Sequence, residues 1–259
     1  MNLLTHLLTI SRNTFRESVR DRILYNLVIF VLLITAAAVF LGELTAGNEA
    51  RVIVNLGLTT ILFFGVFIAI FVGVGLVSKE IERRTVFAIF SKPVTRGEFI
   101  AGKYLGLCLT LLVNVAVMAL GITLALFYVV GSALVLSSLA AILLIFFELI
   151  LLTAVAILFS TFSSPTLSAL LTFFIFIIGH FSAALDQVAA STGSNGAKIF
   201  FKGLYYFLPN LSFFSFITNA AHGQIPSAAY LLAAFGYALI YVVILLSIAA
   251  FIFGRRNFK

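Results

Sequence analysis

Ser78–Lys103, SKEIERRTVFAIFSKPVTRGEFIAGK, is the one long charged segment inside an otherwise apolar chain of 259 residues, and its residue types come closest to chemistry. Gly97-Glu-Phe-Ile-Ala-Gly102-Lys103 has the GxxxxGK spacing of a loop whose amides cradle phosphates while the lysine reaches them. The next residue is Tyr104, where a Ser or Thr hydroxyl would be needed to hold Mg²⁺, and no buried strand precedes the glycines. Thr95-Arg-Gly-Glu98 has capping-box spacing instead, which commits these amides to a helix starting near Arg96. Upstream, Lys79–Phe90 lacks Gly and Pro, and Glu80 stands four residues before Arg84 in the favourable order for a helical pair. Pro93 then pushes Lys92 into an extended conformation and stops that helix near Ser91. The spacing thus predicts a charged helix, a hinge at Pro93 and a second helix. Unbroken to about Val130, the second helix is roughly 50 Å long against a hydrocarbon core of about 30 Å, so its first turns stand outside the membrane.

A second candidate is Glu148, near the middle of a long apolar run. A charged carboxylate there costs on the order of 3 kcal/mol, so it must face protein or a wet cavity, or hold a proton. Its role is either functional or a hydrogen bond to a neighbouring helix, through Asn114 or Thr153. His180 and His6 read as interfacial side chains. One cysteine, Cys108, three scattered histidines and two methionines form no soft-ligand cluster for a metal. No nucleophile stands with a base and an orienting acid.

The elements that position these residues follow from composition. Hydrophobic residues make up 63% and charged residues 10% of the chain, and the mean hydropathy is +1.21. Soluble domains average nearer 45–50% apolar and about 25% charged, so an all-α polytopic membrane protein is predicted. A net charge of +7 does not point to nucleic acid, because the basic residues lie between apolar runs as topology signals. Six runs, at about 23–41, 52–77, 104–130, 134–160, 167–185 and 227–253, approach or exceed the ~20 residues a span needs. Arg12, Arg16, Arg20, Arg22, Lys79, Arg83, Arg84, Lys92, Arg96, Lys103, Arg255, Arg256 and Lys259 then share one face, against Arg51, Lys198 and Lys202 on the other. The positive-inside rule makes both termini cytoplasmic. No cleavable signal peptide or soluble domain is evident.

The division expected is residues 1–22 as an N-terminal amphipathic helix and 23–259 as a six-span domain. Within that domain, 78–103 is the cytoplasmic segment between spans 2 and 3, and 186–226 is a long outer segment. In the first helix Leu3, Leu4, Leu7, Leu8, Ile10 and Phe15 share half the wheel, with Arg12, Arg16 and Arg20 four apart beside them. This pattern suits a helix in the headgroup layer with its basic edge toward anionic lipid. The other reading is a helix packed on protein. Gly102-xxx-Gly106 would permit close helix packing. The outer segment, rich in Phe and Tyr around Lys198, Lys202 and Pro209, suits one or two short helices lying at the outer interface or dipping partly into it, with a re-entrant span as the alternative.

At Ser78–Lys103 the sequence resembles the membrane subunits of the ABC-2 type transporter family. The matching residues are Glu80 and Glu82, Thr85, Ser91-Lys92-Pro93-Val94-Thr95-Arg96, and Gly102-Lys103, with Arg84 where glycine is common. The terminal stretch Phe253–Phe258 and the six-run pattern agree. The resemblance implies an exporter-type permease, without a nucleotide site or cofactor of its own, in the bacterial inner membrane. Its partners would be two copies of an ATPase subunit carrying ATP and Mg, and a second permease copy in a homodimer. Glu80, Glu82, Arg83, Arg84, Thr85, Lys92, Pro93 and Arg96 would form the ATPase-coupling element. Two alternatives come from other classes: a secondary transporter driven through Glu148, and a membrane-embedded enzyme or assembly factor. The substrate is not written in the sequence.

Overall fold

In the computed structural model, residues 3–20, 22–43, 45, 47–82, 95–182, 188, 191 and 195–255 are described. All regular structure among them is helical. The helices are α1 (Leu3–Val19), α2 (Arg22–Glu43), α3 (Glu49–Glu82), α4 (Arg96–Val130), α5 (Val135–Ser160), α6 (Pro165–His180), α7 (Asn195–Phe207), α8 (Ile217–Ala221) and α9 (Ala228–Arg255), with a 3-10 turn at Leu211–Phe214. Four of them, in α3, α4, α5 and α9, are long and apolar enough to cross a membrane, and shorter apolar helices lie at Val31–Phe40, Pro165–His180 and Leu211–Ala221.

The bundle is organised around α5. It is apolar all round, so no single face is marked for the interior, and it is packing that encloses it. Its side chains are buried almost continuously from Ala141 to Ile157. It packs against α3, α4, α6, α8, α9 and the 3-10 turn. One core cluster joins α2, α3, α4 and α5 around Ile61, Met118, Ile122 and Leu149. The other joins α4, α5 and α9 around Phe99, Leu151, Ala238 and Phe253, and takes in Leu211 and Phe214 from the outer segment. By contrast α9 turns Leu232, Ile240, Val243 and Phe251 outward, as a helix beside lipid tails can.

Several expectations change in detail. The second apolar run does not end before the charged segment, because α3 continues without a break through Ser78-Lys79-Glu80-Ile81-Glu82 and is 34 residues long, about 51 Å. Residues 83–94, with the predicted stop at Pro93, lie outside the described residues. In the fifth run α6 covers Pro165–His180, 16 residues or about 24 Å, and Pro165 at its first turn suits a position that needs no N–H partner. The second half of the outer segment dips into the bundle. Leu211, Phe214, Ala220 and Ala221 are buried, and a Cβ on Gly179 at the end of α6 would stand 2.8 Å from Pro209 O. Backbone outside regular helix can enter a membrane domain only where protein covers it or its polar groups are met. Here Asn210 N–H donates to the Tyr237 hydroxyl at 2.8 Å, the Tyr230 hydroxyl donates to Phe213 O at 2.5 Å, and Ser182 and Ser212 hydroxyls both donate to Asn210 Oδ1 at 2.6 Å.

Candidate functional site

The charged segment re-enters the described structure at Thr95, and the first two turns of α4 form a junction of three elements. Thr95 is extended, at φ −77° and ψ 155°, and closes the box expected from its spacing. Glu98 N–H donates to Thr95 Oγ1 at 3.3 Å, and Thr95 N–H donates to Glu98 Oε2 at 2.9 Å. The helix that follows has 35 residues, about 52 Å, so it exceeds the membrane core by about 20 Å. Its amides are helical, which removes the phosphate-loop reading of Gly97–Lys103.

Two neighbours hold this stalk. The first is α1, seated on Gly102 and Gly106, where an added Cβ would meet Ile10 Cβ at 2.7 Å, and Ser11 O and Thr14 Cβ at 2.6 Å. The pair predicted from spacing does permit close packing. His6 is buried in this interface instead of lying free in the headgroup layer, with Nδ1 3.3 Å from Glu98 Oε2. Lys103 is buried too, its Nζ 3.6 Å from Glu17 Oε2 and 5.9 Å from the Phe99 ring centre. The face of α1 toward the stalk is thus His6, Ile10, Thr14 and Ser18, spaced four apart and mostly small or polar. Leu8 stays 70% exposed, and Arg12, Arg16 and Arg20 are exposed as well. Both readings of α1 therefore contain part of the geometry: one face packs on protein, and an apolar and basic remainder is left outward.

The second neighbour is the end of α9. The Arg96 guanidinium donates to Phe253 O at 3.0 Å and to Gly254 O, carbonyls in the last turn of α9. Phe99 stacks on Phe253 with ring centres 5.8 Å apart. Arg96 therefore turns into the bundle and binds α9 to the stalk. Charge-assisted hydrogen bonds are worth roughly 1.5–3 kcal/mol, and solvent beside this part-exposed pair brings the figure to about 1 kcal/mol. Arg96→Gln is expected to speed amide exchange in the last turn of α9 about fivefold, measured by hydrogen exchange in nanodiscs, with the middle of α9 unchanged.

The other predicted site residues are placed as follows. Glu80 and Glu82 lie in the last described turn of α3. Arg83, Arg84, Thr85, Lys92 and Pro93 fall outside the described residues. Glu148 is 1% exposed in the middle of α5. Neither neighbour expected from sequence reaches it: Asn114 Nδ2–H donates to Thr110 O and the Thr153 hydroxyl to Leu149 O, each within its own helix. Its partner is His180, with Nδ1 3.5 Å from Glu148 Oε1. His180 stands at the end of α6, 23% exposed, with its Nδ1 edge enclosed beside Glu148. A lateral groove of about 600 Å³ lies between α3 and α6, lined by Val66, Ile70, Val74, Ala169 and Phe173, and Glu148 is not among its walls. Among the described residues no group of His, Cys, Asp and Glu could hold a metal.

The first turns of α4 thus hold α1 on one side and the end of α9 on the other. Compared with known proteins, residues 8–258 match the family model described as ABC-2 family transporter protein. The chain belongs to the ABC-2 transporter family. The match runs from the second turn of α1 past the end of α9, so it includes the stalk, both of its neighbours and the Glu148–His180 pair. No curated protein matches the chain. The protein is thus the membrane component of a transporter, a multi-pass permease without a catalytic role of its own.

Proposed function

We propose that this permease is moved by a separate ATPase subunit docking on the cytoplasmic segment between α3 and α4, and that it exports its substrate. The observation that supports this most is the geometry at the two ends of that segment. Both α3 and α4 are about 20 Å longer than the hydrocarbon core, so the two helices that flank the charged segment are long enough to stand beyond the membrane. Glu80, Glu82, Arg83, Arg84, Thr85, Lys92 and Pro93 would meet the ATPase, while Arg96 passes the displacement to α9. ATP and Mg belong to the partner, since Gly97–Lys103 is helical. The family implies two ATPase copies and a second permease copy, a homodimer when no different permease is made beside it.

The topology that goes with this reading has six spans, α2 to α6 and α9, with both termini cytoplasmic and the bacterial inner membrane as its site. The thirteen-to-three distribution of Lys and Arg supports the orientation. The 16 residues of α6 span only with the help of the buried stretch from Pro209 to Phe214 that meets its end. Residues 1–22 lie against the stalk and the headgroups, with Arg12, Arg16 and Arg20 toward anionic lipid.

Two measurements test the proposal. Purification of the full chain in mild detergent should bring down an ATPase in equal amount, with hydrolysis that changes when the permease is removed; recovery of the permease without any ATPase sinks the reading. In intact cells, a membrane-impermeant thiol reagent should label Asn48→Cys and Asn195→Cys but not Arg84→Cys or Asn257→Cys in a Cys108→Ser background. External labelling of Arg84→Cys reverses the orientation.

A further inference from the structure

The apolar interior of this permease holds one acid and one base that face each other. Glu148 is the sole ionisable residue of α5, and His180 the sole one of α6. Glu148 Oε1 and His180 Nδ1 are both buried without a hydrogen-bond partner, and they lie 3.5 Å apart. Nothing else charged approaches them among the described residues. On α3 no ionisable side chain stands between Arg51 and Lys79. From α4 come Tyr104, whose hydroxyl donates to Ile150 O, and Cys108. From α9 come Tyr230, donating to Phe213 O, Tyr237, accepting from Asn210 N–H, and Tyr241. The 3-10 turn and α8 contribute none, and His222 beyond α8 is exposed, with Nδ1 2.8 Å from Thr218 O.

Two orphaned atoms of this kind need a proton between them. With none, an unpaired carboxylate is buried; with two, an unpaired imidazolium is. One proton leaves the pair neutral overall in either arrangement, as a carboxyl donating to imidazole or as a carboxylate accepting from imidazolium. His180 also lies in the last turn of α6, where the partial negative charge of the helix end favours a cation, and its ring is covered by Phe176 at 4.7 Å between centres.

We propose that Glu148 and His180 together form a one-proton site that fastens the C-terminal end of α6 to α5. This helix has only 16 residues, and its C-terminal end is seated on the buried stretch at Pro209–Leu211, so the pair adds a polar attachment at the end of a short helix. Gain or loss of a proton releases that end. The site thereby links proton binding to the position of α6, which also forms one wall of the lateral groove.

The full chain in lipid nanodiscs tests this through its melting temperature, followed by far-UV circular dichroism between about pH 5 and pH 9. The wild type should melt highest at an intermediate pH and lower at both ends, because both ends leave one buried charge unpaired. Glu148→Gln and His180→Gln should each melt lower than wild type. In Glu148→Gln/His180→Gln the loss should be smaller than the sum of the two single losses, and the bell-shaped profile should be gone. Additive losses, or a double variant that keeps the wild-type profile, overturn the proposal. Should the single variants fail to insert, the double variant and the wild type still decide it, and a wild-type melting temperature constant across that range overturns it alone.

Discussion

Gly106→Ala is expected to unseat the N-terminal helix, a large effect for one added carbon. At this position the new Cβ would stand 2.6 Å from Ser11 O and 2.6 Å from Thr14 Cβ. The first is a main-chain atom in the middle of α1 and cannot rotate aside, so α1 as a whole must move away. It then takes His6 from Glu98 and Glu17 from Lys103. Overpacking of this kind costs about 1–3 kcal/mol, which corresponds to roughly five- to 150-fold faster amide exchange along α1. Gly97→Ala is the matched control. Its Cβ would meet nothing within 4 Å, and alanine in a helix is favoured over glycine by about 0.5–1 kcal/mol, so exchange should slow or stay level. The comparison is between identical substitutions nine residues apart on one helix. Equal exchange in the two variants would show that α1 is held by lipid and not by the stalk.

Local signals were the legible ones. The Thr95–Glu98 box was written in four consecutive residues and forms with both of its hydrogen bonds. The Gly102–Gly106 spacing announced a close approach but not by what. The long-range partners were not legible. His6 with Glu98, Glu17 with Lys103, Arg96 with the end of α9, and Glu148 with His180 join residues whose neighbourhood depends on which helices face one another. Apolar helices give little help there, because period and polarity mark a buried face only when the other face is wet. Thus α5 and α9 read alike in sequence, yet one is enclosed and the other turns outward. Position carried part of the information as well. The fifth run reads as a span with His180 near its outer end, and His180 does stand at the end of α6, but the enclosure of its Nδ1 edge beside Glu148 depends on the packing of α6 on α5.

The stalk also decides what a mutation of the charged segment can mean. Glu80→Lys with Glu82→Lys should weaken assembly with the ATPase subunit by about tenfold or more, as expected when like charges are brought together at a docking face. Within the helix the same change removes at most the Glu80–Arg84 pairing, worth about 0.3–0.5 kcal/mol, so the fold should be untouched. Insertion, melting temperature and the seating of α1 should therefore match wild type while ATPase co-purification falls. Pro93→Ala separates charge from direction. It keeps every charge but removes the residue that disfavours helix at the position before it, which would let helix continue from α3 toward α4 and turn the docking surface away. In that variant the ATPase should remain bound more often than in the double lysine variant, with hydrolysis no longer responsive to the permease. Arg96 gives a third separation, since its guanidinium lies on Phe253 O and Gly254 O: its loss should leave ATPase binding intact and slow transport by loosening α9. Full co-purification and wild-type ATPase response in Glu80→Lys/Glu82→Lys would remove residues 80–82 from the docking surface, leaving the contact to be sought on the exposed edge of α1 at Arg12, Arg16 and Arg20.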